Sequence, residues 1–298
     1  MKSRRNILLL IVCWFGLLSV VADSIPELPL PNVPTTLRTP GERANYIITH
    51  FWDAMEFGDT IRSHNRMFME QNFSNFISVF PYAEEVVRQK AVETLLGKAE
   101  TDSIGYVLLK DIAEKYLYEP DSPMMSEEFY ILFLERFIKS PILGEHGALR
   151  LYRQLDAARK NRPGMTAANF SYTTREGTST TLHQTDTNGE LLLIFYDPDC
   201  EHCKEVTGEL QKAKTLSEAI AAGKIKVLAI YSDEDHNLWK RTAGLLPKEW
   251  TVGYDGGTLQ ENGSYVLRTM PTLYLLDREK KVIAKDIQPA QLLNLLHQ

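Results

Sequence analysis

Six apolar residues in a row, Leu191-Leu-Leu-Ile-Phe-Tyr196, follow an Asn188-Gly189 turn signal and lead within four residues to Cys200-Glu-His-Cys203. An unalternating apolar run of this length reads as a strand buried on both faces, so the chain must place layers above and below it. The cysteines open a stretch with helical periodicity. A dithiol on the first turn of a helix, at the end of a buried strand, is the arrangement that thiol–disulfide exchange needs. Cysteines at i and i+3 there bring their sulfurs within bridging geometry without displacing backbone. Cys200, at or near the N-cap, faces unpaired N–H groups and the positive end of the helix, which stabilise a thiolate. Cys203 is more enclosed by its own helix and suits the resolving role.

The third cysteine, Cys13, lies in a segment that reads as a secretory signal. Lys2, Arg4 and Arg5 precede an apolar core over residues 7–21, and Val20-Val21-Ala22 supplies a small-residue cleavage pattern before Asp23. The apolar run is shorter than the roughly 20 residues of a spanning helix, so the sequence predicts no membrane span after signal removal. Residues 1–22 are thus expected to be a signal peptide, and the mature chain to carry two cysteines in an exported, periplasmic and disulfide-permissive setting. The formal charge of −6 falls to about −9 once the three leader cations are subtracted. That balance argues against a nucleic-acid partner.

Residues 23–40 hold five prolines and are expected to form an extended linker. Thr39-Pro40-Gly41-Glu42 then predicts a helix start, with Thr39 as N-cap, Pro40 at N1 and Glu42 closing a capping box. Apolar stripes recur at residues 82–97, 103–118 and 127–139, and a last helix is expected over about 147–160, ended by Arg162-Pro163-Gly164. Residues 41–162 are read as an all-α N-terminal domain. Its aromatics Phe51, Trp52, Phe68, Phe73, Phe76 and Phe80 are expected in the core. From residue 163 to 298 short strand patterns alternate with helices. A hairpin turns at Arg175-Glu176-Gly177, the cysteine helix spans about 201–222, strands follow near 226–231, 250–254, 272–276 and 282–287, and Pro289 starts a closing helix. This texture predicts an α/β domain with a central mixed sheet flanked by helices.

A lone Cys-x-x-Cys has rivals. Structural zinc needs four ligands, and no second cysteine pair exists in the mature chain. An inert bridge closing so short a loop gains little from chain entropy. No metal and no cofactor are therefore expected.

Thr269-Met270-Pro271-Thr272 stands directly before the apolar Leu273-Tyr-Leu-Leu276. Together with Phe195-Tyr-Asp-Pro-Asp-Cys200-Glu-His-Cys203-Lys204 and the Asp277-Arg-Glu-Lys-Lys-Val282 hairpin, this segment resembles the thioredoxin superfamily. The nearest likeness is its exported branch of TlpA/ResA-like thiol–disulfide oxidoreductases, over residues 164–298. The resemblance implies that Pro271 is cis and packs against the cysteine pair. It further implies that the backbone of Met270 binds an extended segment of a partner beside Cys200. Departures are visible. Ile194 replaces thioredoxin's buried acid, Gly208 replaces its helix-kinking proline, and Asp199 replaces the usual aromatic before the first cysteine. A peroxidase on this fold would want a hydroxyl residue where Asp197 stands.

The sequence thus predicts an exported thiol–disulfide oxidoreductase with protein thiol or disulfide substrates and a redox-recycling partner. Cys200 attacks, Cys203 resolves, and Met270 and Pro271 bind substrate. The direction of electron flow stays open. The family likeness favours reduction, whereas a protonated His202 turned toward Cys200 would modulate the pair toward an oxidant. Asp197, Asp199 and Glu201 push the other way, or are simply solvated surface. The competing reading is a non-catalytic binding or assembly protein that works through the helical domain and keeps a passive disulfide on a scaffold.

Overall fold

The computed structural model describes residues 28–296; the expected signal over 1–22 lies outside them. The first half is helical: α1 (Pro40–His50), α2 (Thr60–Ser63), α3 (Arg66–Ser78), α4 (Glu85–Ala99), α5 (Ser103–Leu117), α6 (Glu127–Phe137) and α7 (Gly144–Ala158). The capping box forms as the sequence predicts. Thr39 Oγ1 accepts from the Glu42 N–H at 3.2 Å while Glu42 Oε2 accepts from the Thr39 N–H at 3.0 Å. These side chains satisfy helix donors that no carbonyl reaches.

Phe51, Trp52, Phe68, Phe73, Phe76 and Phe80 are all buried in one apolar core with residues of α4 to α7. Phe76 is its hub, with ring centroids 5.5 Å from Phe51, 5.9 Å from Trp52 and 4.8 Å from Phe80. Burying such a side chain is worth roughly 1.5–3 kcal/mol, so this cluster gives the helical half a core of its own. Leu28 is also buried in it, which ties down the start of the described part of the proline-rich stretch.

The second half holds β1 (Ser171–Thr174), β2 (Ser179–Thr181), β3 (Glu190–Tyr196), α8 (Glu201–Lys212), α9 (Lys214–Ala221), β4 (Ile225–Tyr231), α10 (His236–Thr242), β5 (Thr251–Tyr254), α11 (Thr258–Asn262), β6 (Thr272–Leu276), β7 (Val282–Lys285) and α12 (Pro289–Leu296). One seven-stranded sheet runs in the order β2-β1-β5-β4-β3-β6-β7. β3, β4 and β5 are parallel; the others pair antiparallel. Successive side chains of β3 enter opposite cores. Leu192, Ile194 and Tyr196 pack under the helices with Cys203, Val206 and Leu210. Leu191, Leu193 and Phe195 pack against Phe170, Tyr172, Leu182, Tyr265 and Tyr274. Period-two geometry with both faces covered explains the unbroken apolar run.

The helix expected over 201–222 is divided. Ala213 adopts φ −71° and ψ 107°, ending α8 and starting α9. The break lets Leu216 and Ala219 reach the sheet core. It does not fall at Gly208, which stays inside α8.

The halves meet through polar groups. Lys285 of β7 donates to the Lys160 carbonyl at 2.9 Å, while Arg162, the last residue of the helical half, is held back on Glu128 of α6 with Nη2–Oε2 at 2.6 Å and Nε–Oε1 at 2.9 Å. Asn161, at φ +50°, donates to the Ser264 carbonyl at 3.0 Å and accepts the Ala168 N–H at 2.8 Å. Asn tolerates this left-handed backbone because its short polar side chain bonds locally. Among the described residues no helix is long and apolar enough to cross a membrane.

Candidate redox site

β3 delivers the chain to the site. After Tyr196, the Asp197 carboxylate accepts the Asp199 N–H at 2.8 Å, and the Asp197 carbonyl accepts the Cys200 N–H at 3.2 Å. This compact turn, an Asx arrangement, sets Cys200 as the N-cap of α8. The Cys200 sulfur then does what a capping oxygen does elsewhere, accepting the Cys203 N–H at 3.3 Å.

The two thiols are unequal. Cys200 is half-buried, whereas Cys203 is buried. The Cys203 sulfur accepts the Asp197 N–H at 3.4 Å. Burial, reinforced by the neighbouring Cys200 sulfur and the Asp197 carboxylate, pushes the Cys203 thiol up to about 12. Cys203 therefore stays protonated at neutral pH, and Cys200 is the accessible sulfur of the pair.

The other wall is the 268–271 loop. Antiparallel pairing of Phe195 with Thr272 brings the start of β6 to the end of β3. The Met270–Pro271 peptide is cis, and the Cys200 thiol donates to the Met270 carbonyl oxygen at 3.7 Å. Cys200, Cys203, Met270 and Pro271, all named from sequence, are thus brought together.

His202 is placed differently. Its side chain is 65% exposed, with Nδ1 at 3.4 Å from Glu205 Oε2, and its one close polar partner is Glu205 and not Cys200. Lys204 is likewise engaged, with Glu201 at 3.3 Å. Ile194 is fully buried beneath the site.

A cavity of about 420 Å³ opens beside this pair. Thr269 and Pro271 form one wall, His202 and Val206 of α8 a second, and Pro120, Pro123 and Met125 of the helical half a third. Sequence reasoning missed this third wall. The signal for it was the proline-bearing stretch 118–126, which interrupts the helical texture between α5 and α6. Also missed was a cluster of Arg268 and Asp286, which line the cavity, with Glu127 and Lys285 packed against them. Lys285 Nζ lies 2.6 Å from Glu127 Oε2, and Arg268 Nη2 lies 2.8 Å from Glu127 Oε1 and 3.8 Å from Asp286 Oδ2. Burial, with Glu127 close by, raises Asp286 to about 6 against the pull of Lys285 and Arg268. Among the described residues no group of three or more His, Cys, Asp or Glu is arranged to hold a metal ion.

An open-edged mixed sheet with a dithiol at a helix tip facing a cis-proline loop defines the fold of thioredoxin-like thiol–disulfide oxidoreductases. The chain is 35% identical to a thioredoxin-like protein from Bacteroides caccae whose crystal structure superposes with a TM-score of 0.84, covering 92% of this chain and 99% of that one. The protein belongs to the thioredoxin-like family. Residues 17–161 match the profile of a domain of unknown function (DUF5106). The C-terminal domain of an uncharacterized protein from Bacteroides fragilis is 38% identical over 46% of this chain and 99% of its own, with a TM-score of 0.45. A thiol-disulfide oxidoreductase from Bacteroides fragilis is 25% identical over 45% of this chain and 98% of its own, with a TM-score of 0.37. No curated protein matches the chain in sequence.

Proposed function

We propose that the protein is an exported, periplasmic thiol–disulfide oxidoreductase that reduces disulfides of partner proteins. One observation carries the proposal: the accessible Cys200 sulfur sits at a helix tip, 3.3 Å from the Cys203 N–H and 3.7 Å from the Met270 carbonyl, over a buried and protonated Cys203. The Cys200 thiolate attacks one sulfur of a partner disulfide. That S–S bond breaks, the partner's other sulfur leaves as a thiolate and takes up a proton, and a mixed disulfide joins Cys200 to the partner. Cys203 then gives up its proton and attacks the Cys200 sulfur, releasing the second partner thiol. Two electrons have passed, and Cys200–Cys203 is now a disulfide that a dithiol recycling partner must reduce. The backbone of Met270 holds the partner's extended segment during the exchange.

The placement of His202 supports the reducing direction. With His202 turned to Glu205, the one imidazole able to stabilise a Cys200 thiolate is absent from it, and thiolate stabilisation is what makes a dithiol protein oxidising. Insulin-disulfide reduction tests the proposal. The wild type turns over with a recycling dithiol, Cys200→Ser is inactive, and Cys203→Ser accumulates a mixed disulfide on Cys200. A wild type that reduces no insulin disulfide would return the protein to the class of binding scaffolds, and reduction that survives Cys200→Ser would remove Cys200 from the attacking role.

A further inference from the structure

We propose that Arg268 is a positioning residue for the exchange reaction, through which the helical half fixes the Met270 loop against Cys200 and so selects extended protein segments over small disulfides. This role presupposes the exchange chemistry proposed above.

Arg268 lies two residues before Met270, on the loop that forms one wall of the cavity. Its guanidinium stacks over the Tyr118 ring, 4.0 Å from the centroid. Nη1 donates to the Tyr118 carbonyl oxygen at 2.5 Å, and Nη2 donates to Glu127 Oε1 at 2.8 Å. Tyr118 and Glu127 bracket the stretch that carries Pro120, Pro123 and Met125, the opposite wall of the same cavity. One side chain thus grips both ends of one wall while standing next to the reactive end of the other. Lys285 braces the second oxygen of Glu127 and also donates to the Lys160 carbonyl at 2.9 Å.

The cluster is withdrawn from water: Arg268 is 17% exposed and Glu127 9%. Buried ion pairs return little net stability for the desolvation they cost, and their best-attested use is to hold a geometry. A planar fork that is both stacked and doubly bonded holds one geometry only, which an ammonium does not reproduce. The junction itself does not need Arg268, because Asn161 on the Ser264 carbonyl and Lys285 on the Lys160 carbonyl already tie the halves together. What Arg268 alone adds is a fixed distance from the helical half to the Met270 carbonyl. A protein segment that pairs with that carbonyl feels any misplacement, and an error of about 1 Å in such a docking surface costs up to about 10²-fold in rate. A small disulfide reaches Cys200 without pairing to the loop.

The test compares wild type, Arg268→Gln, Arg268→Lys and Glu127→Gln in the full mature chain, with insulin and with 5,5′-dithiobis(2-nitrobenzoate) as substrates. For Arg268→Gln, the ratio of kcat/KM on insulin to kcat/KM on the small disulfide falls about tenfold or more, mainly through KM, and Arg268→Lys does not restore it. Glu127→Gln loosens the same link from the helical side and lowers the same ratio. A variant that combines Arg268→Gln with Glu127→Gln falls no further than the worse single one, because both remove one coupled contact. Glu127→Gln leaves Arg268 on the Tyr118 ring and so serves if Arg268→Gln does not fold. An unchanged ratio, or equal loss on both substrates, overturns the positioning role. A wild type that reduces neither substrate overturns the exchange chemistry instead.

Discussion

The backbone N–H of Cys203 points at the sulfur of Cys200 across 3.3 Å, while the sulfur of Cys203 is itself held by the N–H of Asp197 at 3.4 Å. Two sulfurs three residues apart therefore sit in different environments, one at the surface and one under it. Brief exposure of the reduced protein to iodoacetamide at pH 7 should label Cys200 and leave Cys203 unmodified. Mass spectrometry of the peptides decides this. Equal labelling of both would remove the distinction between attacking and resolving thiols.

The Cys203 thiol also sets a pH dependence. Its value rises from an ordinary 9.0 to about 12, because burial disfavours the anion. Between those values the unfolded chain has released the proton and the native state has not, so the native state binds more protons and loses stability as pH rises. The contribution is complete below about pH 9 and disappears as pH approaches 12. The urea midpoint of the reduced wild type should fall more steeply from pH 8.5 to 10.5 than that of Cys203→Ala. Parallel slopes would contradict the burial of this thiol.

Asp286 behaves similarly at lower pH. Its carboxyl rises from 3.8 to about 6, first through burial and then through Glu127. The folded state therefore favours the neutral acid, and stability is lost as pH climbs from about 4 through 6. Asp286→Asn is neutral throughout, and Asn accepts the φ of +53° that this position requires. The melting temperature of the variant should gain on the wild type from pH 4 to 7 and then level off. The gain has a ceiling of about 3 kcal/mol at about 1.4 kcal/mol per pKa unit. A gain that shrinks over this range would mean that Arg268 needs the ionised partner.

Much of this architecture was legible beforehand, and what was not follows a physical rule. Thr39 and Glu42 declare α1 because a capping box acts over three residues. The β3 run declares a doubly covered strand because sheet periodicity is local. Cys200 and Cys203 were readable for the same reason. The break at Ala213 was not, since Ala is an excellent helix former and the turn there is imposed by packing of Leu216 and Ala219 on the sheet. The Arg268–Glu127 pair joins residues 141 positions apart, and a contact of that kind leaves no period or motif in the chain. His202 stands beside the reactive sulfurs in sequence, yet helix geometry carries it to Glu205, three residues on, instead of back to the N-cap.

The two halves have separate apolar cores joined by polar contacts, so damage to one should stay there. Phe76→Ala removes the hub of the helical core and is expected to cost about 3–5 kcal/mol. Far-UV circular dichroism in urea should show an early loss of helix. Exposure of Cys203 to a thiol reagent should keep the wild-type midpoint. Labelling of Cys203 at the lowered midpoint would show that the halves unfold as one unit.

Two glycines flank the cysteine turn, and alanine should affect them with opposite sign. A Cβ on Gly189 would sit 2.0 Å from the Lys224 carbonyl oxygen, at the paired starts of β3 and β4. The atoms it would meet are all backbone of Lys224, so relief requires the strands to part where the Glu190 N–H donates to that same carbonyl at 2.8 Å. Gly189→Ala should cost at least about 1–3 kcal/mol, as overpacking does. Gly208 is the reverse case. A Cβ there meets nothing within 4 Å, the residue is inside α8, and the helix bends elsewhere, at Ala213. Gly208→Ala should therefore stabilise the protein by roughly 0.5–1 kcal/mol, because glycine gives up more backbone freedom on entering a helix. Urea melts of both variants check the pair, with insulin reduction by Gly208→Ala expected near the wild-type rate. A destabilised or slowed Gly208→Ala would mean that α8 must flex at Gly208 during exchange, a motion for which the resting geometry gives no reason.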